Sequence, residues 1–472
     1  MMKEDDRPVR ERIRSRLKRE SMEDSGTSFQ FDDTGIDDIY TDSRKKMANG
    51  LFVPIVGEHS DGHDYIEMAI KNGAVAVLSS RPVDKLKDQY PYVRFYQVKN
   101  TVDALQEIGR MERAKFTGTV IGVTGSVGKT TTRNMIAAAI SAGKKVFQTV
   151  GNANSQIGVP ITMFHMARSG ADAAVIELGM SKPGEMTKIA RVACVDIAVM
   201  TNIGIAHIEQ LKTQDNILHE KLHILDGMRE NGMLFINLED SLLSRVTIDS
   251  IHQDGLIPGK NVLIRGYKKH DYQLHLQVPG DHMLSNASAA MHVALTLGVS
   301  EEGAREKLEA FTGVAGRGAF FVTKNGVTVI DDAYNASPVS MKAGLSALAE
   351  HEGKRRIAVL ADMLELGDKA HDAHREVGQY LATLPIDVVF LYGELAAEIG
   401  AGIEEVYSRP EELQDDNTAF PKKKPTIIYF TDFQELRNMI HSLADEGDVV
   451  LFKGSNSMKL STIVEEFKVD KN

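Results

Sequence analysis

Thr119-Val120-Ile121-Gly122-Val123-Thr124-Gly125-Ser126-Val127-Gly128-Lys129-Thr130-Thr131-Thr132 decides the fold. Its first six residues form a short apolar, β-branched run, the signature of a buried strand. A Gly-x-x-Gly-Lys-Thr turn follows, and then a helical stretch over residues 134–142. Glycines let a backbone turn tightly and aim its N–H groups at phosphate oxygens, and a helix N-terminus adds partial positive charge. In such a loop Gly125, Ser126, Val127, Gly128 and Thr131 line the phosphates. Lys129 reaches the β- and γ-phosphates and Thr130 ligates Mg²⁺. The spacing is the short form of the phosphate loop, because the longer pattern needs Gly where Val123 stands. The plainer reading, a Gly-rich turn with an incidental lysine, is disfavoured by the strand–turn–helix context.

Strand-like runs recur outward from this loop at 145–149, 173–177, 196–201 and 233–237, with helical stretches between several of them. That rhythm predicts right-handed βαβ crossovers and a mostly parallel sheet. A third unit starts near Gly316-Arg317-Gly318, with strands at 327–331, 356–361, 387–391, 426–430 and 448–452, as in a second doubly wound sheet. Upstream, strands at 51–55 and 74–78 flank a helix at 64–72 closed by Gly73, a small α/β unit. The expected divisions are a charged tail over 1–28, an N-terminal domain over 29–115, a central domain over 116–313 and a C-terminal Rossmann-like domain over 314–472. The polar stretch 408–425 reads as a surface loop.

Composition sets outer bounds. The chain has 472 residues, 42% hydrophobic and 26% charged, enough for several domains with their own cores. A net charge of −11 argues against a general nucleic-acid binder. A single cysteine, Cys194, rules out a disulfide framework or a multi-cysteine zinc site and suits a reducing cytoplasm. No apolar run approaches the length of a membrane helix, and the charged start lacks a signal peptide's apolar region.

Further motifs follow in order. They are Gly151-Asn152-Ala153-Asn154-Ser155-Gln156-Ile157-Gly158-Val159-Pro160, Val175-Ile176-Glu177-Leu178-Gly179-Met180 and Thr201-Asn202-Ile203-Gly204-Ile205-Ala206-His207. Thr41-Asp42-Ser43-Arg44 and Asp61-Gly62-His63-Asp64 precede them. Asp331-Asp332-Ala333-Tyr334-Asn335-Ala336-Ser337-Pro338, Ala361-Asp362-Met363-Leu364-Glu365-Leu366-Gly367 and Lys453-Gly454-Ser455 follow. This collinear series, from about Thr34 to the C-terminus, resembles the Mur ligases, ATP-dependent enzymes that build the peptide of bacterial cell-wall precursors. Within the family it looks most like the member joining D-alanyl-D-alanine to UDP-N-acetylmuramoyl-tripeptide. The resemblance implies a three-domain α/β architecture, ATP with two Mg²⁺ ions, a cytoplasmic location and a monomer acting on those two substrates.

It also implies roles. A carboxylate is activated as an acyl phosphate and then attacked by an amine, so two anions must be held in contact by concentrated positive charge. Lys129, Glu177, His207 and Lys221 are the catalytic candidates. Thr130 and Glu177, at a strand end, are hard-oxygen ligands for one ion, and His207 is the family's ligand for the second. Lys221 matches a lysine that the family carbamylates. Only a neutral amine reacts with CO₂, which burial and nearby cations favour. Asn286 would face adenine, Arg317 the phosphates, and Asp332, Tyr334 and Asn335 would close on the nucleotide after the third domain rotates onto the second. Ser43, Arg44, Asp61, Gly62 and His63 are the candidates for the UDP end, with Arg44 suited to a diphosphate by its fork geometry. Asn154 and Ser155 are candidates for the muramoyl-peptide end. Asp362, Glu365, Lys453 and Ser455 are candidates near the dipeptide.

The chain departs from the family pattern at its charged start, at Ala153 and Ser155, at His223 where Glu is usual, and at Asn456 where a basic residue is usual. These leave open a ligase for another amine or acyl substrate. A non-catalytic ATP-binding scaffold and a phosphate-loop kinase are the readings from other classes. The first leaves His207 and Lys221 unexplained, the second the downstream motifs.

Overall fold

The computed structural model describes residues 30–253, 261–278, 280–408 and 423–469. The charged tail expected over 1–28 and most of the expected 408–425 loop lie outside the described residues.

The first sheet holds β1 (Asp38–Tyr40), β2 (Gly50–Phe52), β3 (Ala74–Ser79) and β4 (Arg94–Gln97), all parallel and in that order. The strand expected at 51–55 stops at Phe52, just before Pro54, which has no N–H to give a ladder. The helix expected at 64–72 is a 3₁₀ turn, Gly62–Tyr65, running into an α-helix, Ile66–Lys71. The helix Thr101–Lys115 ends this unit, its first turn capped by Asn100 Oδ1, which accepts from the Val102 and Asp103 N–H groups. It presses on the helix Gly158–Arg168 of the next unit so closely that a Cβ at Gly109 would lie 2.7 Å from Pro160 Cα. Phe164 from that second helix joins Leu51, Leu78 and Leu105 in one apolar cluster, so the first two units share core.

Arg113 rivets the same junction. It is 1% exposed, and its guanidinium donates to the carbonyls of Ala193, Cys194 and Phe116 and pairs with Asp196 at 3.3 Å. Burial lowers its pKa to about 10, which leaves it a cation at neutral pH.

The second sheet contains β5 (Thr119–Thr124), β6 (Val146–Gln148), β7 (Ala173–Glu177), β8 (Ile197–Met200), β9 (Gly232–Asn237) and β10 (Val262–Tyr267). Its order is β10-β9-β8-β5-β7-β6, parallel throughout. Every residue of β7 and β8 is buried, as a sheet covered on both faces requires. The chain order reverses across β5, and the phosphate loop leaves the C-terminal end of that strand. The helix after the loop is Lys129–Ile140, starting earlier than the expected 134–142. Three consecutive threonines read as poor helix formers, yet Thr130 and Thr132 find hydroxyl partners, and packing overrides propensity.

The third sheet contains β11 (Ala319–Val322), β12 (Thr328–Asp332), β13 (Arg356–Ala361), β14 (Val388–Tyr392), β15 (Thr426–Phe430) and β16 (Val449–Lys453). Its order is β11-β12-β16-β13-β14-β15, parallel except for the edge strand β11. Apolar clusters cover both of its faces. Among the described residues no helix is long and apolar enough to cross a membrane.

The second and third units meet in this structure. Ile205 packs against the apolar clusters of both. A Cβ at Gly318 would touch Met283 Cε at 3.1 Å, and one at Gly367 would touch Glu209 at 3.2 Å. In this arrangement Arg317 lies near enough to Lys129 to help lower its pKa, which is the apposition the expected rotation would produce. The units are already apposed.

Candidate active site

The C-terminal ends of β5, β7 and β8 lie side by side, with Val123 opposite Glu177 and Thr124 opposite Met200. The loop after β5 is shaped from the loop after β8. Asn202 Oδ1 accepts from the Val127 N–H at 2.9 Å, Thr201 Oγ1 donates to the Val127 carbonyl at 2.6 Å, and Asn202's carbonyl accepts from the Ser126 N–H. Gly125 has φ +148°, and a Cβ there would fall 1.9 Å from Thr201 Oγ1. Gly128 turns into the helix at φ +83°. Only glycine suits both. Thr124 Oγ1 and Ser126 Oγ are buried with no protein partner, which suits a polar ligand at this loop.

Glu177 is 1% exposed and closely held. Thr130 Oγ1 donates to its Oε2 at 2.8 Å, Asn154 Nδ2 donates to its Oε1 at 2.8 Å, and Arg133 Nη1 lies 3.4 Å from Oε2. Asn154, expected at the muramoyl-peptide end, thus also orients this carboxylate. Lys129 Nζ folds back onto the Gly125 carbonyl. Burial lowers its pKa, Glu177 opposes that, and Arg317 of the third unit adds to it.

Lys221, on the helix Gln214–Leu222, is 1% exposed and donates to the same Gly125 carbonyl at 3.0 Å. Burial first, and then repulsion from Lys129, pushes its pKa well below 10.5. His207 has φ +64°, which turns the chain into the helix Ile208–Leu211. Burial, with Lys221 and Lys129 nearby, lowers its pKa to about 4, so the imidazole is neutral and has a lone pair to offer. Its Nδ1 lies 3.0 Å from Glu365 Oε2, across the unit boundary. Glu365, expected near the dipeptide, thus meets the His207 side of the site, at φ +64° itself.

The stretch His219-Glu220-Lys221-Leu222-His223 also spells the His-Glu-x-x-His order of zinc peptidases. The structure gives Glu220 other work. It is buried and accepts from the Gly184 and Met186 N–H groups at the start of the helix Glu185–Ala193. His223, where the family tends to have Glu, faces Asp226 at 3.0 Å, and that hydrogen bond raises its pKa.

On the third unit, Lys453 Nζ pairs with Asp332 Oδ2 at 2.5 Å and donates to the Asn335 carbonyl, so three of the expected residues converge. Arg317 stacks its guanidinium 3.9 Å from the Tyr334 ring centroid. Asn286 is nearly buried, and its Oδ1 accepts from Thr132 Oγ1, behind the phosphate loop. Asp362 accepts from the Ala396 N–H, and Ser455 Oγ accepts from the Leu364 N–H. Ser155 Oγ takes the N–H groups of Ile157 and Gly158 at the start of a helix.

In the first unit, His63 Nε2 accepts from the Ser80 N–H, so its proton sits on Nδ1, 2.6 Å from Asp61 Oδ1. Gly62 is packed against Ile55, leaving no room for a Cβ. Ser43 is buried beside Met68. Arg44 lies at the surface of its turn. Its guanidinium is 82% exposed and forks Asp42 of the same turn. These residues lie apart from the loop cluster.

Sequence reasoning missed Arg133 and Ser80, and it quoted Thr201 and Asn202 in a motif without giving them a role. Arg133 had one available signal, its position four residues after Lys129 on a helix, which puts both on one face.

Comparison with known proteins agrees with this architecture. Residues 35–113, 123–294 and 316–456 match models described as the Mur ligase family catalytic domain, the Mur ligase middle domain and the Mur ligase glutamate ligase domain. A Bacillus subtilis protein named UDP-N-acetylmuramoyl-tripeptide–D-alanyl-D-alanine ligase is 33% identical over 93% of this chain and 94% of its own length. A Synechocystis protein of the same name is 32% identical over 92% of each. MurF from Acinetobacter baumannii superposes with a TM-score of 0.77 at 26% identity, covering 95% of this chain and 98% of that one. MurF ligase from Thermotoga maritima, solved with ADP, gives 0.74 at 26% identity over 93% and 99%. With three collinear domain matches and full-length relatives at this identity, the chain belongs to the Mur ligase family.

Proposed function

We propose that this chain joins D-alanyl-D-alanine to UDP-N-acetylmuramoyl-tripeptide at the expense of ATP, completing the peptide of a peptidoglycan precursor. The observation that carries the reading is the convergence of Lys129, Lys221, Glu177 and His207 at one loop, with Arg317 of the third unit close enough to repel Lys129. The names of the full-length relatives support the substrates.

The chemistry follows from charge. A substrate carboxylate oxygen attacks the γ-phosphorus and ADP leaves. The amine then attacks the acyl carbon, phosphate departs and the amine loses a proton. Lys129 would turn from the Gly125 carbonyl to the γ-phosphate, and Arg317 would add a second cation, offsetting the repulsion between two anions. Asp332, Tyr334 and Asn335 would border the nucleotide beside Arg317, with Asn286 supporting the loop.

The donor set fits Mg²⁺. Thr130 Oγ1 and Glu177 Oε2 are hard oxygens 2.8 Å apart, and this ion usually takes one or two protein ligands with water and phosphate. His207, kept neutral, would hold a second divalent ion. Bound there, such ions would neutralise phosphate charge as it shifts. Lys221's depressed pKa supplies the free amine that a carbamate requires, and a carbamate would turn its charge negative beside that ion.

Ser43, Arg44, Asp61, Gly62 and His63 would receive the UDP end, and Asn154 and Ser155 the muramoyl-peptide end. Asp362, Glu365, Lys453 and Ser455 would border the dipeptide. The chain would work as a monomer in the cytoplasm, where ATP is supplied.

The test is phosphate release by the pure protein with UDP-N-acetylmuramoyl-tripeptide, with and without D-alanyl-D-alanine. Release that needs both, with the pentapeptide product seen by mass spectrometry, is the expected result. An intact, ATP-binding protein that releases none would sink the reading and direct attention to other amines. Lys129→Ala should lose turnover while keeping its fold.

A further inference from the structure

Arg133 is 5% exposed, yet it is a cation one helical turn after Lys129. Its Nη1 donates to the Gly151 carbonyl at 3.0 Å and to Glu177 Oε2 at 3.4 Å. Its Nε is buried with no partner. Burying a guanidinium costs several kcal/mol unless a partner offsets it, so a plain packing role would favour an apolar residue here. The loop that Arg133 holds at Gly151 returns to the same carboxylate. Asn154 Nδ2 donates to Glu177 Oε1 at 2.8 Å, and the Gly179 N–H, just beyond β7, donates to the Asn154 carbonyl at 2.9 Å. The packing is close, because a Cβ at Gly179 would lie 3.0 Å from the Asn154 carboxamide. Arg133, Glu177 and Asn154 therefore close a ring through the 151–155 loop.

We propose that Arg133 is a positioning residue that makes the metal-side carboxylate and the 151–155 loop a single unit. It holds the Glu177 carboxylate in place, and it fixes the loop that carries Asn154 and Ser155. Ordering one side of the ring then orders the other. The divalent-ion requirement and the affinity for the acyl substrate are coupled through one buried guanidinium. This rests on the ligase reading for the identity of the acyl substrate only, because the effect on the carboxylate is expected for any nucleotide bound at the loop.

The test compares Arg133→Met, Arg133→Lys and Asn154→Ala with the wild-type protein. ADP binding is measured by calorimetry with and without Mg²⁺, and KM is measured for ATP and for UDP-N-acetylmuramoyl-tripeptide. Arg133→Met should bind metal-free ADP within about twofold of wild type, while the Mg²⁺-dependent gain falls about tenfold, the size seen when groups behind metal ligands are removed. KM for the acyl substrate should rise by a similar factor with KM for ATP little changed. Arg133→Lys, which keeps the charge, should recover most of both effects. In the double variant Arg133→Met/Asn154→Ala the losses should fall short of additive. Unchanged Mg²⁺ dependence in Arg133→Met overturns the proposal. So does a general loss that Lys does not rescue. If Arg133→Met does not fold, Arg133→Gln, which keeps a donor and removes the charge, is read by the same two measurements with the same expected and overturning results. A wild-type protein that turns over neither substrate but binds Mg²⁺–ADP would sink the ligase reading, and the Arg133 comparison would still be read on binding.

Discussion

Lys129 and Lys221 bring their ammonium nitrogens to one acceptor, the Gly125 carbonyl oxygen, at 2.9 and 3.0 Å. Two ammonium groups at one oxygen would repel each other, and both are buried, which favours loss of the Lys221 proton while Lys129 keeps its charge. Arg317 adds positive charge from the opposite unit and Glu177 offsets only part of it. The site is thus electrostatically unsatisfied until phosphate enters, which is the state a site for two adjacent anions should have.

Lys221 gives that strain a pH signature. An unfolded lysine holds its proton up to about 10.5, whereas the folded one releases it well below that value because of burial and Lys129. Between those limits the unfolded chain binds more protons, so this residue makes stability rise with pH. Lys221→Met removes the term. In CO₂-free buffer the variant should melt no lower than wild type at neutral pH, and its advantage should shrink as pH approaches 10. Parallel melting curves for the two proteins across that range would mean that Lys221 titrates normally.

The same free amine makes a catalytic prediction. Carbon dioxide adds only to an uncharged amine, so wild-type turnover should slow in CO₂-depleted buffer and recover on adding bicarbonate. Lys221→Ala should lose about a hundredfold or more, the scale of removing one charge-stabilising group. A small carboxylic acid should restore part of it. Wild-type rates in Lys221→Ala would show that no carbamate is needed.

Arg113 should dominate the stability of the first junction. Its replacement by Met leaves the carbonyls of Ala193, Cys194 and Phe116 without this donor. Breaking a buried charged network from one side costs about 3–5 kcal/mol. Urea unfolding of Arg113→Met should show a loss of that order, with the first unit separating earlier. A loss under about 1 kcal/mol would mean that the shared core around Phe164 carries the junction instead.

The difference between Lys129 and Arg113 shows what the sequence made legible. The loop around Lys129 is a contiguous pattern whose chemistry depends on backbone turns, so spacing alone points to it. Glu177 was readable too, because a strand-end acid in a parallel sheet faces the ligand edge. Arg113 and Arg133 carry no motif that singles them out. Their burial comes from long-range packing that no local window contains. Arg44 shows the opposite limit, since a motif match says nothing about where a side chain turns, and here Asp42, two residues earlier, holds it. The strands β4 and β10 escaped because each is a polar-mixed edge of its sheet, and edges lack the apolar run of a central strand.

The closed arrangement of the second and third units makes the last prediction. Two kinds of contact hold it, and magnitudes separate them. The His207–Glu365 pair is polar and Glu365 is 69% exposed, so it contributes little. Ile205, half-buried, packs against the cores of both units, and Met283 lies against Gly318. An apolar side chain of that size is worth about 1.5–3 kcal/mol when fully buried, several times an exposed ion pair. Glu365→Gln should therefore leave the radius of gyration in solution close to that of wild type. Ile205→Asp should raise it, because a carboxylate cannot be left unpaired between two apolar surfaces. Small-angle scattering on both variants distinguishes them, and added Mg²⁺–ATP should draw Ile205→Asp part of the way back. If Glu365→Gln opens the protein and Ile205→Asp does not, the polar contact is the latch and the apolar ranking is wrong.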